Sequence, residues 1–477
     1  MTFPPHLIKD LPGLEAAFDE DVIRGHLQAA LFGGAGGRWT LDRAEPDSPL
    51  FLPGEGCTVQ YECRVKDAAD GELYDPIVVG RVFRDRRSCA NYMRQKLAPL
   101  VERVRKRADL ATFANPAAVI EPLHMVVHVW PLDGELPTLI KATDPLYMTG
   151  VLAGALSGGF EVETCRVDRV NYRRRSRCVL RYTLTGYAPG SAETQRRVLY
   201  GKLTLRGDDR LYGETLAKLR QHFESPRNGE GIAIPRSLGW RPELGLALLE
   251  EVPGEAKVGT ALRARLKGKA PGEGRPLEAM LSRCVRVAVA LHGSGLSFGR
   301  ERTLEQRLAD LANEVEITRA FSPEFADRAA GWLARVAEHA QKIEAVPFRL
   351  CHGDFKYAQV FFDGDRVGLV DMDNVCQAEP ALDLGQFFAY LRTQARQTPR
   401  AESVSPKLED ELCARFFEEY AAAMALTAED AQRLRARATL HEVASLLRVA
   451  LHSSQKFKQA RLDSASALVE ERLGGLD

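Results

Sequence analysis

Between residues 350 and 375 the chain reads LCHGDFKYAQVFFDGDRVGLVDMDNV. The runs VFF and VGLV flank an Asp-Gly-Asp turn, which is the pattern of a β-hairpin. A hairpin needs neither the His-Gly-Asp before it nor the Asp-Met-Asp after it. Closing the hairpin brings its two ends together, so Asp354, Gln359, Asp371 and Asp373 converge. Carboxylates placed side by side repel one another unless a cation sits among them. Two or three oxygen donors, with room left for phosphates, is how Mg2+ is usually held.

The segments around this hairpin are mostly helical in pattern. LSRCVRVAVALHGSGL and TLEQRLADLANEVEITRAF precede it; LEDELCARFFEEYAAAMAL and ATLHEVASLLRVAL follow it. In the last, Leu440, Val443, Leu447 and Leu451 fall on one helical face and read as core. Further upstream, RLKGKAPGEGRP (265–276) reads as a loop or linker.

Before that linker, two segments resemble each other. FLPGEGCTVQY and IVVGRVF correspond to YRRRSRCVLRY and VLYGKLTL. Cys57 and Tyr61 match Cys178 and Tyr182 in spacing, and Gly80 and Gly201 follow their cysteines at the same distance. Each pair of strands is followed by a helix-like stretch and then by an apolar strand entering a turn. Strand–strand–strand–helix–strand is therefore expected twice. The expected domains are a helical lead-in over 1–45, a first repeat over 46–150, a second over 151–254 and a helical half over 255–477.

The whole chain sets bounds on what these parts do. At 477 residues, with 45% apolar and 27% charged residues, it has material for buried cores and roughly two to four domains. Lys+Arg and Asp+Glu are both 65, so no broad field attracts nucleic acid or anionic membrane. No apolar run approaches the ~20 residues of a membrane span, and the N-terminus lacks a basic start followed by an apolar run. The nine cysteines are scattered without a C-x-x-C pair. That usage suits reduced thiols in a cytoplasm better than a disulfide framework or a zinc site.

His352-Gly353-Asp354, an amide five residues after the Asp, a hairpin and then Asp371 together resemble a kinase catalytic core. HGD in place of HRD, with the tail AEPALDLGQFFAYL, resembles the aminoglycoside phosphotransferase/choline kinase-like family over roughly residues 165–460. The resemblance implies an α+β, protein-kinase-like two-lobed fold, with an antiparallel β N-lobe and a mainly helical C-lobe. It makes the first repeat an additional, degenerate N-lobe-like domain, because Arg81 stands where Lys202 stands in the second. It also implies an ATP-dependent phosphotransferase that transfers the γ-phosphoryl group to a hydroxyl of a small molecule.

The implied roles follow residue by residue. Asp354 is the base; His352 and Asp383 hold the catalytic loop; Lys356 lies near the γ-phosphate. Gln359, Asp371 and Asp373 hold Mg2+. Lys202 meets the α/β-phosphates of ATP with Glu214 as its partner. Glu250, Glu251 and Val252 form the adenine hinge, and Arg175 belongs to the turn that covers the phosphates. The partner is a small-molecule acceptor, with no nucleic acid or membrane, and a homodimer through the first repeat is one use for that repeat.

Departures from the family pattern keep alternatives open. Gln359 replaces the usual Asn, as in maltokinase-like members, which hints at a sugar. The turn YRRRSR is not Gly-rich. Both features favour a second reading, a pseudokinase-type nucleotide-binding or scaffolding module; a metal-dependent hydrolase would need more ligands than His352 and these acids. Glu418, Glu419, Phe416, Phe417 and Tyr420 are candidates to line an acceptor site for aminoglycosides, choline or sugars, with helical core packing as the other explanation of the aromatics.

Overall fold

The computed structural model describes residues 3–34, 36–47, 49–52, 54–107, 110, 113–156, 159–205, 210–224, 231–269 and 276–476. The chain divides into two compact units. Met1–Arg210, Ser237–Glu251 and Gln455–Phe457 make the first; Leu211–Arg236, Val252–Ser454 and Lys458–Asp477 make the second. Antiparallel sheets dominate the first and helices the second, as an α+β chain of this type requires. Half of the expected linker at 265–276, residues 270–275, lies outside the described residues, and Arg265 and Leu266 end a helix, Val258–Leu266.

The first unit uses one plan twice. Its first copy runs α1 (Leu14–Phe18), α2 (Glu20–Leu31), β1 (Trp39–Pro46), β2 (Gly56–Asp67), β3 (Ile77–Val82), α3 (Arg86–Tyr92), α4 (Ala98–Arg105), β4 (Ala117–Ile120) and β5 (Met125–Val129). Its second runs α5 (Leu139–Ala142), α6 (Pro145–Ala155), β6 (Glu161–Arg173), β7 (Arg177–Tyr187) and β8 (Thr194–Thr204); the chain then passes through α7 (Arg210–Phe223), which belongs to the second unit after its first residue, and returns for β9 (Ser237–Arg241) and β10 (Leu246–Glu250). The strand orders are β1-β2-β3-β5-β4 and β6-β7-β8-β10-β9, which are the same order. Two short strands, Leu50–Leu52 and Leu73–Tyr74, add to β2 in the first sheet. The domain edges expected at 45/46 and 150/151 fall inside β1 and α6, because both copies begin with helices that the lead-in reading left outside the repeat.

The Cys-Tyr-Gly spacing has a packing cause. Residues i, i+2 and i+4 of a strand share a face, so Cys57, Val59 and Tyr61 all point inward and are fully buried. Gly80 pairs with Val59 and Gly201 with Leu180. A Cβ at Gly80 would lie 1.9 Å from the Met125 methyl and 3.1 Å from the Tyr61 ring, and one at Gly201 would lie 2.8 Å from the Tyr182 ring and 2.9 Å from Leu246. The glycine thus makes room for side chains of both adjacent strands, the tyrosine among them. The two hydroxyls then find matching partners: Tyr61 donates to the carbonyl of Ala17 in α1 at 2.8 Å, and Tyr182 donates to that of Ala142 in α5 at 2.9 Å. Even the caps correspond. Asp19 accepts from the first amides of α2 and Asp144 from those of α6, each filling orphan donors at a helix start.

In the second unit, α8 (Leu277–His292), α9 (Leu304–Arg319) and α10 (Pro323–Lys342) lead to β11 (Arg349–Cys351) and the hairpin of β12 (Val360–Asp363) and β13 (Arg366–Leu369). Then come α11 (Ala381–Arg396), α12 (Leu408–Ala423), α13 (Ala428–Gln455) and α14 (Gln459–Gly474). The hairpin register pairs Val360 with Leu369 and Asp363 with Arg366, as the Asp-Gly-Asp turn implied. Leu440, Val443, Leu447 and Leu451 of α13 are fully buried. No helix among the described residues is long and apolar enough to cross a membrane. The nine cysteines are free, and all but Cys165 are buried.

The helical core also encloses charge. Glu379 takes Arg437 at 2.8 Å and the His441 ring at 3.2 Å on one oxygen, and the Val346 amide at 3.0 Å on the other. Arg307 donates to the second ring nitrogen of His441 at 3.0 Å. A ring that accepts on one nitrogen and donates from the other is neutral, and burial pushes its pKa down to about 4. The unfolded value is near ~6.5. Between those limits the unfolded chain takes up a proton that the folded chain refuses, so stability is full above about pH 6.5 and is lost as pH falls toward about 4. His441→Gln should therefore reduce the acid slope of the urea-unfolding free energy by about one proton over that window. An unchanged slope would remove His441 from the acid response.

Candidate active site

The stretch expected to carry chemistry forms one connected structure in the second unit. Its centre is the buried carboxylate of Asp383, in the first turn of α11. One oxygen accepts the His352 amide at 2.7 Å and the His292 ring at 3.2 Å; the other accepts the Gly353 amide at 2.9 Å. Burial alone would raise the Asp383 pKa. The bond from His292 and the fields of His292 and His352 outweigh it and hold the carboxyl below its usual range. The other nitrogen of His292 meets the Tyr420 hydroxyl at 2.8 Å. The order Tyr420 to His292 to Asp383 to loop backbone gives each polar group a partner, as buried groups require.

Two further contacts shape the loop. The His352 ring donates to the Val370 carbonyl at 2.9 Å, so the loop is tied to the residue just before Asp371. Gly353 has φ +76°, and a Cβ there would lie 2.1 Å from the Asn374 carbonyl oxygen. Glycine is required on both counts. This explains Gly between His and Asp: the loop lies flat on the turn that follows β13.

Asp354 is then presented with two donors. Gln386 Nε2 reaches one oxygen at 3.0 Å, and Lys356 Nζ reaches the other at 2.9 Å. Lys356 also lies 5.1 Å from the Tyr390 ring centre. At the far end of the hairpin, Gln359 Nε2 donates to Asp371 Oδ2 at 3.1 Å. Asp371 has φ +66°, the left-handed region that Asp tolerates better than most residues. An amide oxygen and a carboxylate side by side are hard oxygen donors of the kind that suits Mg2+. Asp373 is exposed in the short 3-10 turn Met372–Asn374.

The remaining expected residues lie apart from this cluster in the chain. Lys202 is half-buried on β8, on the face opposite Gly201 and Leu203, and pairs in register with Val179 and Ala247. Glu250 ends β10, Glu251 is exposed and Val252 is buried. Glu214 is exposed on α7. Arg175 is paired with Glu55 of the first copy at 2.9 Å.

Phe416, Phe417 and Tyr420 are core residues, each at most 4% exposed, so they form no aromatic cage. A helix that packs on two sides buries aromatics on more than one stripe, and Tyr420 serves His292. Glu419 pairs with Arg415 at 2.8 Å, and Glu418 is exposed.

Sequence reading missed Gln386 and His292. Gln386 lies three residues after Asp383, hence on the same helical face, and that spacing was available. His292 ends α8 before a glycine and carried no distinguishing pattern. His292, Cys351 and Asp383 place their ligand atoms within 4.8 Å of one another. Asp383 already accepts three hydrogen bonds, however, and burial holds the Cys351 thiol protonated by pushing its pKa well up. The cluster is therefore a structural network rather than a metal centre.

A family model described as the phosphotransferase enzyme family, APH, matches residues 157–426, more than half of the chain. The chain belongs to that family. The match includes β6 to β10, the His352–Asp354 loop, the hairpin and all of α11. No curated protein matches the sequence. Similar solved structures include a choline/ethanolamine kinase family protein from Mesorhizobium loti, with 15% identity over 64% of this chain and 87% of that one and a TM-score of 0.40. Choline kinase LicA from Streptococcus pneumoniae has 10% identity over 69% and 99%, with a TM-score of 0.42. A thermostable aminoglycoside phosphotransferase mutant, solved with AMP-PNP and hygromycin B, has 13% identity over 68% and 97%, with a TM-score of 0.46.

Removing the charge of Asp383 tests the network. Asp383→Asn keeps the volume, but the amide turns an N–H toward one of its donors. Breaking a buried charged pair on one side costs on the order of 3–5 kcal/mol. Urea unfolding should show a loss of that order, and a change below about 1 kcal/mol would mean that the loop does not depend on Asp383.

Proposed function

We propose that this chain is a kinase that transfers the γ-phosphoryl group of ATP to a hydroxyl of a small molecule. The observation that carries this reading is the fixed carboxylate of Asp354. It sits on a loop held by Asp383 and tied through His352 to the hairpin end that carries Asp371. A carboxylate oriented by two donors accepts a hydrogen bond from an incoming hydroxyl and takes its proton. In a loose phosphoryl-transfer transition state that proton moves late, so orientation is the larger part of the role.

Gln359 and Asp371 are the residues that would hold Mg2+, with Asp373 at the exposed side. The ion would neutralise charge on the phosphate oxygens. Lys356, paired with Asp354, places a positive charge beside the base, where it can meet the transferring group. Lys202 is assigned to the α/β-phosphates and Glu250, Glu251 and Val252 to adenine, as the family resemblance implies. Catalysis of this kind rests on positioning and charge neutralisation, and fixed side chains supply both.

The acceptor is read only to its class. Burial of the α12 aromatics argues against a choline-type cage built from them, and polar side chains around Asp354 suit a polyhydroxylated or aminated molecule.

A screen of sugars, amino alcohols and aminoglycosides with Mg·ATP finds the acceptor, and two variants then test the roles. Asp354→Asn should leave Mg·ATP affinity intact and lower kcat by about 10²–10⁴-fold; unchanged turnover would remove Asp354 as the base. Asp371→Ala should lower Mg2+-dependent turnover by at least ~10²-fold in a protein that unfolds normally. Near-wild-type rates would overturn the metal assignment.

A further inference from the structure

The two copies in the first unit differ where chemistry would occur. Lys202 of the second copy corresponds to Arg81 of the first, which is 7% exposed. Arg81 packs against the rings of Phe83 and Tyr92, with its guanidinium carbon 4.7 Å and 4.8 Å from their centres. Its charge is met by Glu55 at 2.7 Å. Glu55 lies in the turn entering β2, the counterpart of the turn between β6 and β7. In the first copy, then, the strand cation is met by a side-chain carboxylate of the same copy.

Glu55 has a second partner. Arg175, at the tip of the β6–β7 turn in the second copy, donates to the same Glu55 oxygen at 2.9 Å. Glu135 stands 3.8 Å from the same guanidinium. The backbone amide of Arg175 reaches Asp133 at 3.3 Å, and the Tyr172 hydroxyl donates to the same Asp133 oxygen at 2.6 Å. The other Asp133 oxygen accepts the amides of Glu135 and Leu136. Asp133 is 2% exposed, so it is a built anchor and not a surface contact. Arg175 itself has φ +65°, a left-handed conformation that is unfavourable for a non-glycine residue. The contacts to Asp133 and Glu55 offset that cost and fix the turn. Arg175 and Arg81 together hold the Glu55 carboxyl below its usual range.

We propose that the first copy is a built-in clamp for the phosphate-covering turn of the second, with Glu55, Asp133 and Glu135 as positioning residues that grip Tyr172 and Arg175. The inference rests on the kinase reading above, which makes the β6–β7 turn the cover of the nucleotide phosphates. In this turn rigidity comes from outside, through Arg175, rather than from glycines that let the backbone fold over the phosphates. A turn ordered before nucleotide arrives loses less freedom on binding, and that saving appears as affinity. Arg175 is then an anchor facing the first copy, and the backbone of the turn is what meets phosphate.

The test uses the full chain and Mg·AMP-PNP. Hydrogen exchange of the amides over 172–177 without nucleotide should be slow in wild type and faster in Glu55→Gln, Arg175→Gln and Tyr172→Phe. Calorimetry should show Mg·AMP-PNP affinity reduced about tenfold in Glu55→Gln and in Arg175→Gln, and because Arg175→Gln keeps the Arg81–Glu55 pair, its thermal stability should change less than that of Glu55→Gln. The double variant should bind no more weakly than either single one, since both remove one interaction. Wild-type affinity in Glu55→Gln, or fully additive losses in the double variant, would overturn the clamp. A wild type that takes up no Mg·AMP-PNP would instead overturn the nucleotide assignment itself, and the wild-type titration reads that before any variant is made.

Discussion

Asp383 is a fully buried carboxylate whose charge is shared among two backbone amides and one histidine ring. Burying a charge is costly unless it is paired and hydrogen-bonded. Here the donors are the amides of His352 and Gly353, so the loop cannot leave without exposing the charge, and the charge cannot be satisfied without the loop. His352 extends the constraint to Val370, and the contact of Gly353 with Asn374 extends it to the turn after β13. The position of Asp354 relative to Asp371 is thereby set by a chain of short contacts that begins in α11. A site that works by orientation depends on such supports as much as on the groups that touch substrate.

Much of this was legible in the sequence because short-range geometry decided it. The Asp-Gly-Asp turn marked the hairpin of β12 and β13. The alternation of Cys57, Val59 and Tyr61, repeated at Cys178, Leu180 and Tyr182, marked the inward face of both sheets. What was not legible depends on contacts between distant segments. His292 lies far from Asp383 in sequence, and nothing around it distinguishes a helix-end histidine that serves a carboxylate from one that meets water. The aromatics of α12 could be read as a cage or a core, and only packing decided for the core. The copy boundaries were misplaced because α1 and α5 are too short to leave a clear helical period.

Equivalent positions in the two copies show how one framework supports different chemistry. Tyr61 and Tyr182, Gly80 and Gly201, and Asp19 and Asp144 make the same contacts, and these are the residues that hold sheet to helix. Arg81 and Lys202 diverge, as do Glu55 and its counterpart in the β6–β7 turn. A guanidinium is always charged and forms a rigid fork, whereas an ammonium is a compact point charge. Arg81 accordingly packs its guanidinium against two aromatic rings and meets a carboxylate. Lys202 is the ammonium at the matching position, half-buried on β8.

The second sheet is also interrupted in sequence. β10 is an inner strand, paired on one side with β8 and on the other with β9, yet the chain leaves the unit after Arg210 and returns only at Ser237. The first sheet has no such excursion and is complete once β5 has been made. On a ribosome, where segments emerge from the N-terminus onward, the first copy can therefore fold while β8 still has one edge open. An open edge of a half-built sheet is a template for unwanted pairing. That edge closes only when β10, the last strand of the second sheet to be made, pairs with β8.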